Sequence, residues 1–271
     1  MFDPTLTSAT LGLCIGFLMA LTGAGGAILS VPLLMFFLNL SMQQAAPIGL
    51  LAVFFAATFA SILALKQGVV RYKAASLMAI MGVIAAPMGV SLAYQVSPFI
   101  LQSLFVMVLL YVAWHVLAAK LLKEEVCNQP AAPCEINPAT SKLFWTASCT
   151  KRLILTGSLA GFLSGLLGVG GGFIVVPSIQ KISNLEHQTI VATSLATIAL
   201  VSLVSVISYT GHTQINWLIA VPFVGATLIG SFAGRSFSEK MNHQTKDRMF
   251  ATVAIVVALT MLVRLIMQLS H

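Results

Sequence analysis

The stretch Gly16-Phe17-Leu18-Met19-Ala20-Leu21-Thr22-Gly23-Ala24-Gly25-Gly26-Ala27-Ile28-Leu29-Ser30-Val31-Pro32 returns 145 residues later, as Gly161 to Pro177. Nine of the seventeen positions are identical, among them Gly23/Gly168, Gly25/Gly170, Gly26/Gly171 and the Val-Pro pairs Val31-Pro32/Val176-Pro177. The same offset runs on without a gap. It pairs Asn39-Leu40 with Asn184-Leu185, Gln43 with Gln188, Tyr72 with Trp217, Gly89 with Gly234 and Phe105 with Phe250. Chance similarity between apolar segments matches Leu and Val. It does not bring three glycines, a proline and an asparagine into one register. The chain reads as a duplication: residues 1–120, a linker 121–151, and residues 152–271.

Outside the repeated block the composition sets the environment. Of 271 residues, 58% are hydrophobic and 8% charged, against about 45–50% and 25% for soluble domains. No Asp, Glu, Lys or Arg occurs from Pro4 to Leu65, Ala74 to Ala119, Leu153 to Gln180, or His187 to Gly234. A helical span needs roughly 20 apolar residues, so each gap holds one to two crossings. The runs lack the alternation of a membrane β-barrel. The expected fold is all-α and polytopic, with the lipid bilayer as solvent. The net charge of +7 belongs to membrane topology and not to a nucleic-acid surface, because Lys and Arg collect in cytoplasmic loops.

Each half follows one plan. A glycine-broken stretch (about 8–38 and 153–183) precedes three spans, about 45–65, 74–95 and 98–120, then 188–210, 217–237 and 249–269. The loop Lys66–Lys73 carries three positive charges and its repeat counterpart Gly211–Asn216 none. Gln95–Ser97 is uncharged, whereas its counterpart region holds Arg235, Lys240, Lys246 and Arg248. The charge bias therefore turns the halves in opposite directions. With three spans each, the broken stretch must cross an even number of times, as a helix–break–helix hairpin. Counting each hairpin once gives about eight segments. Both termini are expected outside and the linker inside. Thirteen of fourteen basic residues fall on the inner face, with Arg264 the exception. A cytoplasmic linker argues against a disulfide among Cys127, Cys134 and Cys149.

Non-helical backbone inside a membrane is tolerated only where protein or a watery cavity covers it. A helix starting after a break aims unpaired N–H groups and a partial positive charge back at it, an anion-binding arrangement. Paired breaks in inverted halves are the pattern of a transporter site near the midplane. The candidate substrate-binding residues are Thr22, Gly23, Ala24, Gly25 and Gly26, then Gly168, Val169, Gly170, Gly171 and Gly172, with Thr193 and Ser194 opening the next span. The competing reading is tight helix packing by small residues. For the hydroxyls of Thr22, Ser30, Thr193, Ser194 and Thr197 the competing reading is a bond to the preceding turn. Ser202, Ser205 and Ser208 read as helix contacts. Asn39 and Asn184 read as C-caps. Pro32 and Pro177 are placed to kink or end the second half-helix. His115 and Arg264 read as interfacial. No acidic residue lies within a span, which disfavours a carboxylate proton relay. No Walker motif, HExxH or Ser-His-Asp constellation occurs, so neither catalytic residues nor a cofactor or metal is expected.

The duplicated Gly-Phe…Gly-x-Gly-Gly…Pro block and the Ala192-Thr193-Ser194-Leu195 segment resemble the TauE/SafE family of sulfite-exporter-like membrane proteins. The resemblance covers nearly the whole chain. It implies a multi-pass transporter of the bacterial inner membrane, with a small anion such as sulfite or an organosulfonate as substrate. The first half departs from the pattern, with Pro47-Ile48-Gly49 where the second has Ala192-Thr193-Ser194. Export is the expected direction, because the cell interior is negative. The rival is a non-transporting subunit or sensor that docks a partner through the central loop, with Phe144-Trp145 as its anchor; a membrane enzyme is a weaker third. Self-association is left open.

Overall fold

A computed structural model describes residues 4–22, 25–121, 134, 146–183, 185–238 and 243–269. The first half runs α1 (Pro4–Thr22), a 3₁₀ turn (Gly25–Leu29), α2 (Ser30–Leu38), α3 (Met42–Lys66), α4 (Tyr72–Gln95) and α5 (Pro98–Leu121). The second runs α6 (Ala147–Leu167), α7 (Gly172–Ile182), α8 (His187–Thr210), α9 (Trp217–Ser238) and α10 (His243–Leu269). Each helix of the second half has its counterpart 145 residues earlier. The all-α polytopic expectation holds, and the six expected spans are α3, α4, α5, α8, α9 and α10. Among the described residues, α1, α3, α4, α8 and α9 are long and apolar enough to cross a membrane by themselves, while α5 and α10 hold the shorter apolar runs Pro98–Trp114 and Met249–Leu265.

Local chemistry sets the helix ends. Asn39 ends α2 in the left-handed region at φ 50°, as a C-cap asparagine can. Two residues on, Ser41 opens α3 with a capping box: its Oγ accepts from the Gln44 N–H, and its own N–H donates to Gln44 Oε1. Such a cap is worth about 1 kcal/mol. Neither hairpin proline ends its helix. Pro32 is the third residue of α2, where no intrahelical N–H bond is lost, and α7 continues past Pro177 to Ile182.

Cross-helix contacts give the directions. Gln43 Nε2 donates to the Ala93 carbonyl, so the start of α3 meets the end of α4. The Arg71 N–H donates to Thr193 Oγ1, and Tyr94 bonds Thr213, so α4 and α8 run the same way. The described basic loop Lys66–Lys73 and the start of α8 share one end, here the basic end. Asn39, Tyr94 and Thr213 share the other. Helix α1 runs alongside and parallel to α9, with Gly12 against Phe223 and Gly16 against Thr227. Helix α6 runs parallel to α4, with Gly157 against Met78, Gly161 against Gly82 and Gly165 against Ala86. The first hairpin therefore starts and finishes at the far end, and the second starts and finishes at the basic end. Tyr72 and Trp217, matched in the repeat and both exposed, sit at opposite ends.

The closest packing crosses the repeat. The strongest partners are α1 with α9, α4 with α6, α3 with α8 and α4 with α8, followed by α5 with α10. In lipid there is little hydrophobic gain in joining helices, so small residues that let backbones approach supply the adhesion. A Cβ on Gly161 would strike the Gly82 backbone, and one on Gly16 the Thr227 carbonyl. The exterior is apolar, with Ile80, Ile84, Met88, Met107, Leu218, Val221, Ile229 and Phe232 all exposed. The interior carries hydroxyls, including Ser30, Ser164, Thr193, Ser194, Ser202 and Thr227. That inside-out polarity suits lipid.

The cysteine expectation is corrected. Cys134 and Cys149 form a disulfide, Cα–Cα 5.2 Å. The sequence could not show that the ends of α7 and α6 converge: the Cys134 N–H donates to the Ile182 carbonyl (3.0 Å), beside Ser183, above the first turn of α6. Cys127 lies outside the described residues.

Two outcomes follow. Gly82→Leu should lower the thermal midpoint of the purified protein in detergent by several degrees, an overpacking cost of about 1–3 kcal/mol. Gly225→Ala, where an added Cβ meets nothing within 4 Å, should leave it unchanged. Second, if the basic end faces the cytoplasm, as the charge bias predicts, Cys134 and Cys149 stand in a reducing compartment in the cell. Alkylation during cell lysis should capture both as thiols, and purification in air should yield the linked peptide. A linked peptide from cells quenched at lysis would reverse the charge-based orientation.

Candidate functional site

The second glycine break has the geometry the sequence implies. Gly168, Gly170 and Gly171 take φ of 73°, 75° and 69°, left-handed values that cost an L-residue about 1–2 kcal/mol each. Gly168 closes α6, its N–H donating to the Ser164 carbonyl. Gly171 is the N-cap of α7, and no side chain caps it. The first bonds of α7 run from the Ile174 and Val175 N–H groups to the Gly171 carbonyl. Gly172 and Phe173 thus present their N–H groups at the break. The break is tightly enclosed: a Cβ on Gly168 would strike Ala46, and one on Gly171 the Ala160 carbonyl.

The first break is built differently. Gly23 and Ala24 lie outside the described residues. Gly25 and Gly26 enter the 3₁₀ turn that leads into α2, and neither has positive φ. Gly26 is needed for close approach to the Met19 backbone, whereas a Cβ on Gly25 would meet the Phe250 ring at an ordinary 3.6 Å. The tips of the hairpins are neighbours. The 3₁₀ turn packs on α7, and a Cβ on Gly168 would lie 3.4 Å from Val31 Cγ2. The departure at Gly49 also has a cause: a Cβ there would come within 2.8 Å of Ser30 Oγ.

The hydroxyls singled out in the sequence are mostly committed. Thr22 donates to the Leu18 carbonyl (2.8 Å), Ser30 to Ala27 (2.7 Å), Thr193 to Thr189 (2.7 Å) and Ser194 to Val191 (2.8 Å). Thr193 also accepts from the Arg71 N–H, and Thr197 donates to the Thr193 and Ala75 carbonyls. The back-bonding reading describes these groups, and an anion needs donors. Thr193 ties α8 to the basic end of α4 and lies beside Ala74, Cys134 and Ser183.

A different hydroxyl faces the break. Ser202 is fully buried, and its Oγ has no hydrogen-bond partner among the described residues. It lies 3.2 Å from where a Cβ on Gly170 would stand. Three and seven residues on, Ser205 pairs with Ser164 (3.4 Å), and the Tyr209 hydroxyl donates to the Gly165 carbonyl (2.7 Å). One face of α8 thus supports the end of α6 and offers a spare donor to the break. An unbonded buried hydroxyl costs about 1–3 kcal/mol. The repeat equivalent of Ser202 is Ala57, so packing at this position does not demand the oxygen. The sequence reading took Ser202 as a helix contact. The contrast with Ala57 was the available signal. Asn184, Phe144 and Trp145 lie outside the described residues, as does the side chain of His115. No group of three or more His, Cys, Asp or Glu side chains gathers among the described residues.

The sequence profile of the family described as "Sulfite exporter TauE/SafE" matches residues 8–261. A "Probable membrane transporter protein" from Xylella fastidiosa (strain Temecula1) is 26% identical over 249 residues, covering 90% of each chain. "Probable membrane transporter protein YunE" from Bacillus subtilis (strain 168) is 25% identical, covering 91% of this chain and 93% of its own. A "Probable membrane transporter protein" from Haemophilus influenzae is 26% identical over 115 residues, 40% of this chain and 44% of its own. No solved structure matches significantly.

The unequal breaks respond unequally to a single methyl group. Gly170→Ala combines left-handed strain with a 2.8 Å contact to Val53 Cγ1. It should lower the thermal midpoint measurably, whereas Gly25→Ala should not. Equal losses would mean that the first break shares the strained geometry.

Proposed function

The chain belongs to the sulfite exporter TauE/SafE family and is a multi-pass membrane transporter, and from that premise we propose that its cargo is a small oxyanion, sulfite-like or an organosulfonate, bound at the glycine breaks and exported. The observation that carries this reading is the Ser202 hydroxyl, buried and unbonded against Gly170. Around it the Gly172 and Phe173 N–H groups add donors and the positive end of α7. Thr22, Gly25 and Gly26 supply the facing wall, and Gly23 and Ala24 complete the proposed set by sequence. Thr193 ties α8 to α4 through the Arg71 N–H, Ser194 bonds back within α8, and neither donates to the anion.

The two halves act as inverted repeats around this site. The parallel pairing of α1 with α9 and of α4 with α6, with the hairpins starting at opposite ends, supports that arrangement. The moving bodies are not the halves as they stand in sequence. The glycine-tight pairs α1–α9 and α4–α6 each join helices from both halves and move as units. Export follows from the membrane potential, since moving one charge is worth about 2.3 kcal/mol per 100 mV. An anion leaves a negative interior without a coupling ion. The basic end then faces the cytoplasm and concentrates the anion before transport.

The test is voltage-driven efflux of sulfite, methanesulfonate, sulfate and chloride from liposomes holding the purified protein. One oxyanion should move at a rate well above protein-free vesicles. Ser202→Ala should keep or raise thermal stability, because it removes an unbonded hydroxyl, yet lower that flux at least several-fold. Flux unaffected by Ser202→Ala would move the site away from the second break. Absence of flux for all four anions from folded protein, with and without sodium or proton gradients, would remove the anion reading.

A further inference from the structure

Arg264 is a charge inside an apolar run, Met249–Leu265 of α10. Ionisable residues at such positions are costly and tend to mark binding or transport paths. The side chain turns inward: Nη1 donates to the Met35 carbonyl (3.1 Å) and Nη2 to Asn39 Oδ1 (3.0 Å). These acceptors are neutral dipoles at the C-terminal end of α2. They orient the guanidinium, and neither of these two acceptors carries a formal charge. Only two of its five N–H donors go to these two oxygens. The one described carboxylate, Glu186, is the N-cap of α8, at the basic end.

The guanidinium lines a cavity of about 250 Å³ between α2, α5 and α10, with Asn39, Ser41, Gln102 and Met261 among its walls. A water takes up ~30 Å³, so the cavity holds a small oxyanion with several waters. Its polar lining is a guanidinium, two amides and a hydroxyl. That donor set suits two adjacent oxygens of a pyramidal sulfite or a tetrahedral sulfonate, which an arginine fork engages through two parallel bonds. The cavity opens at the far end of the molecule, away from the basic loops.

We propose that this cavity is a second anion site, an outer station for a soluble sulfonate- or sulfite-like oxyanion, held by Arg264 with Gln102 and Ser41. It serves the transport reading above by giving the departing anion a cationic stop where the other described basic residues are absent. Its test measures occupancy and not flux, so the two can fail separately.

The experiment places a thiol at the cavity wall, Met261→Cys, in a background with Cys14→Ser and Cys127→Ser. The full chain is reconstituted in phosphatidylcholine vesicles. Labelling rates are compared for an anionic and a cationic methanethiosulfonate reagent. The anionic reagent should react at least tenfold faster than the cationic one, and millimolar methanesulfonate should slow it. Arg264→Gln should abolish the preference, and Arg264→Lys should retain part of it. Protection by methanesulfonate needs no arginine substitution, so a poorly folded Arg264→Gln leaves the test intact. Equal rates for both reagents, or no protection, would overturn the site. Protection only in vesicles containing phosphatidylglycerol would also overturn it, because the occupant would then be a lipid headgroup phosphate.

Discussion

A chain that interrupts its helices inside a membrane must cover the exposed peptide groups with its own atoms, because lipid offers no hydrogen bonds. The interruption at Gly168–Gly171 imposes that constraint, and much of the molecule answers it. Ala46 and Ala160 close over the glycines, and Ser205 and Tyr209 hold the last turns of α6. The hairpin tips sit together, so each break is shielded by the other half of the chain. A single half would leave its break open to lipid, which gives the duplication a physical necessity.

Mutual shielding requires the halves to interlock, and the glycine rows supply the means. Where α1 meets α9 and α4 meets α6, backbones approach so closely that a methyl group would collide with a facing carbonyl. The glycines that looked like evidence for packing and those that looked like evidence for a site are both present, in different places. Those within α1, α4 and α6, with Gly230 and Gly234 of α9, join helices. Those between α6 and α7 carry the left-handed turn. One residue type serves both purposes because the missing Cβ permits both close approach and positive φ.

The halves have diverged at the positions that touch the breaks. Ser202 stands against Ala57, Gly49 against Ser194, and three left-handed glycines against a 3₁₀ turn. The ends of the molecule differ too. Most of the described basic side chains concentrate at one, whereas Arg264 stands at the other against the end of α2.

The residue pattern alone determined the helical class, the six spans, the two broken hairpins and the register between halves, because all of these rest on local quantities: apolar run length, glycine clusters and the 145-residue offset. It also determined the C-cap at Asn39, a local backbone property. The tertiary fold decided the rest. Ser202 and Ser205 differ from other span serines only by what faces them from α6 and α7. Cys134 meets Cys149 only because α6 and α7 converge. Arg264 reads as an interfacial charge until α2 is placed beside α10. Hydropathy records how much surface meets lipid. Which side chain faces which follows from helix directions and rotations, and these are set by close contacts between residues far apart in the chain.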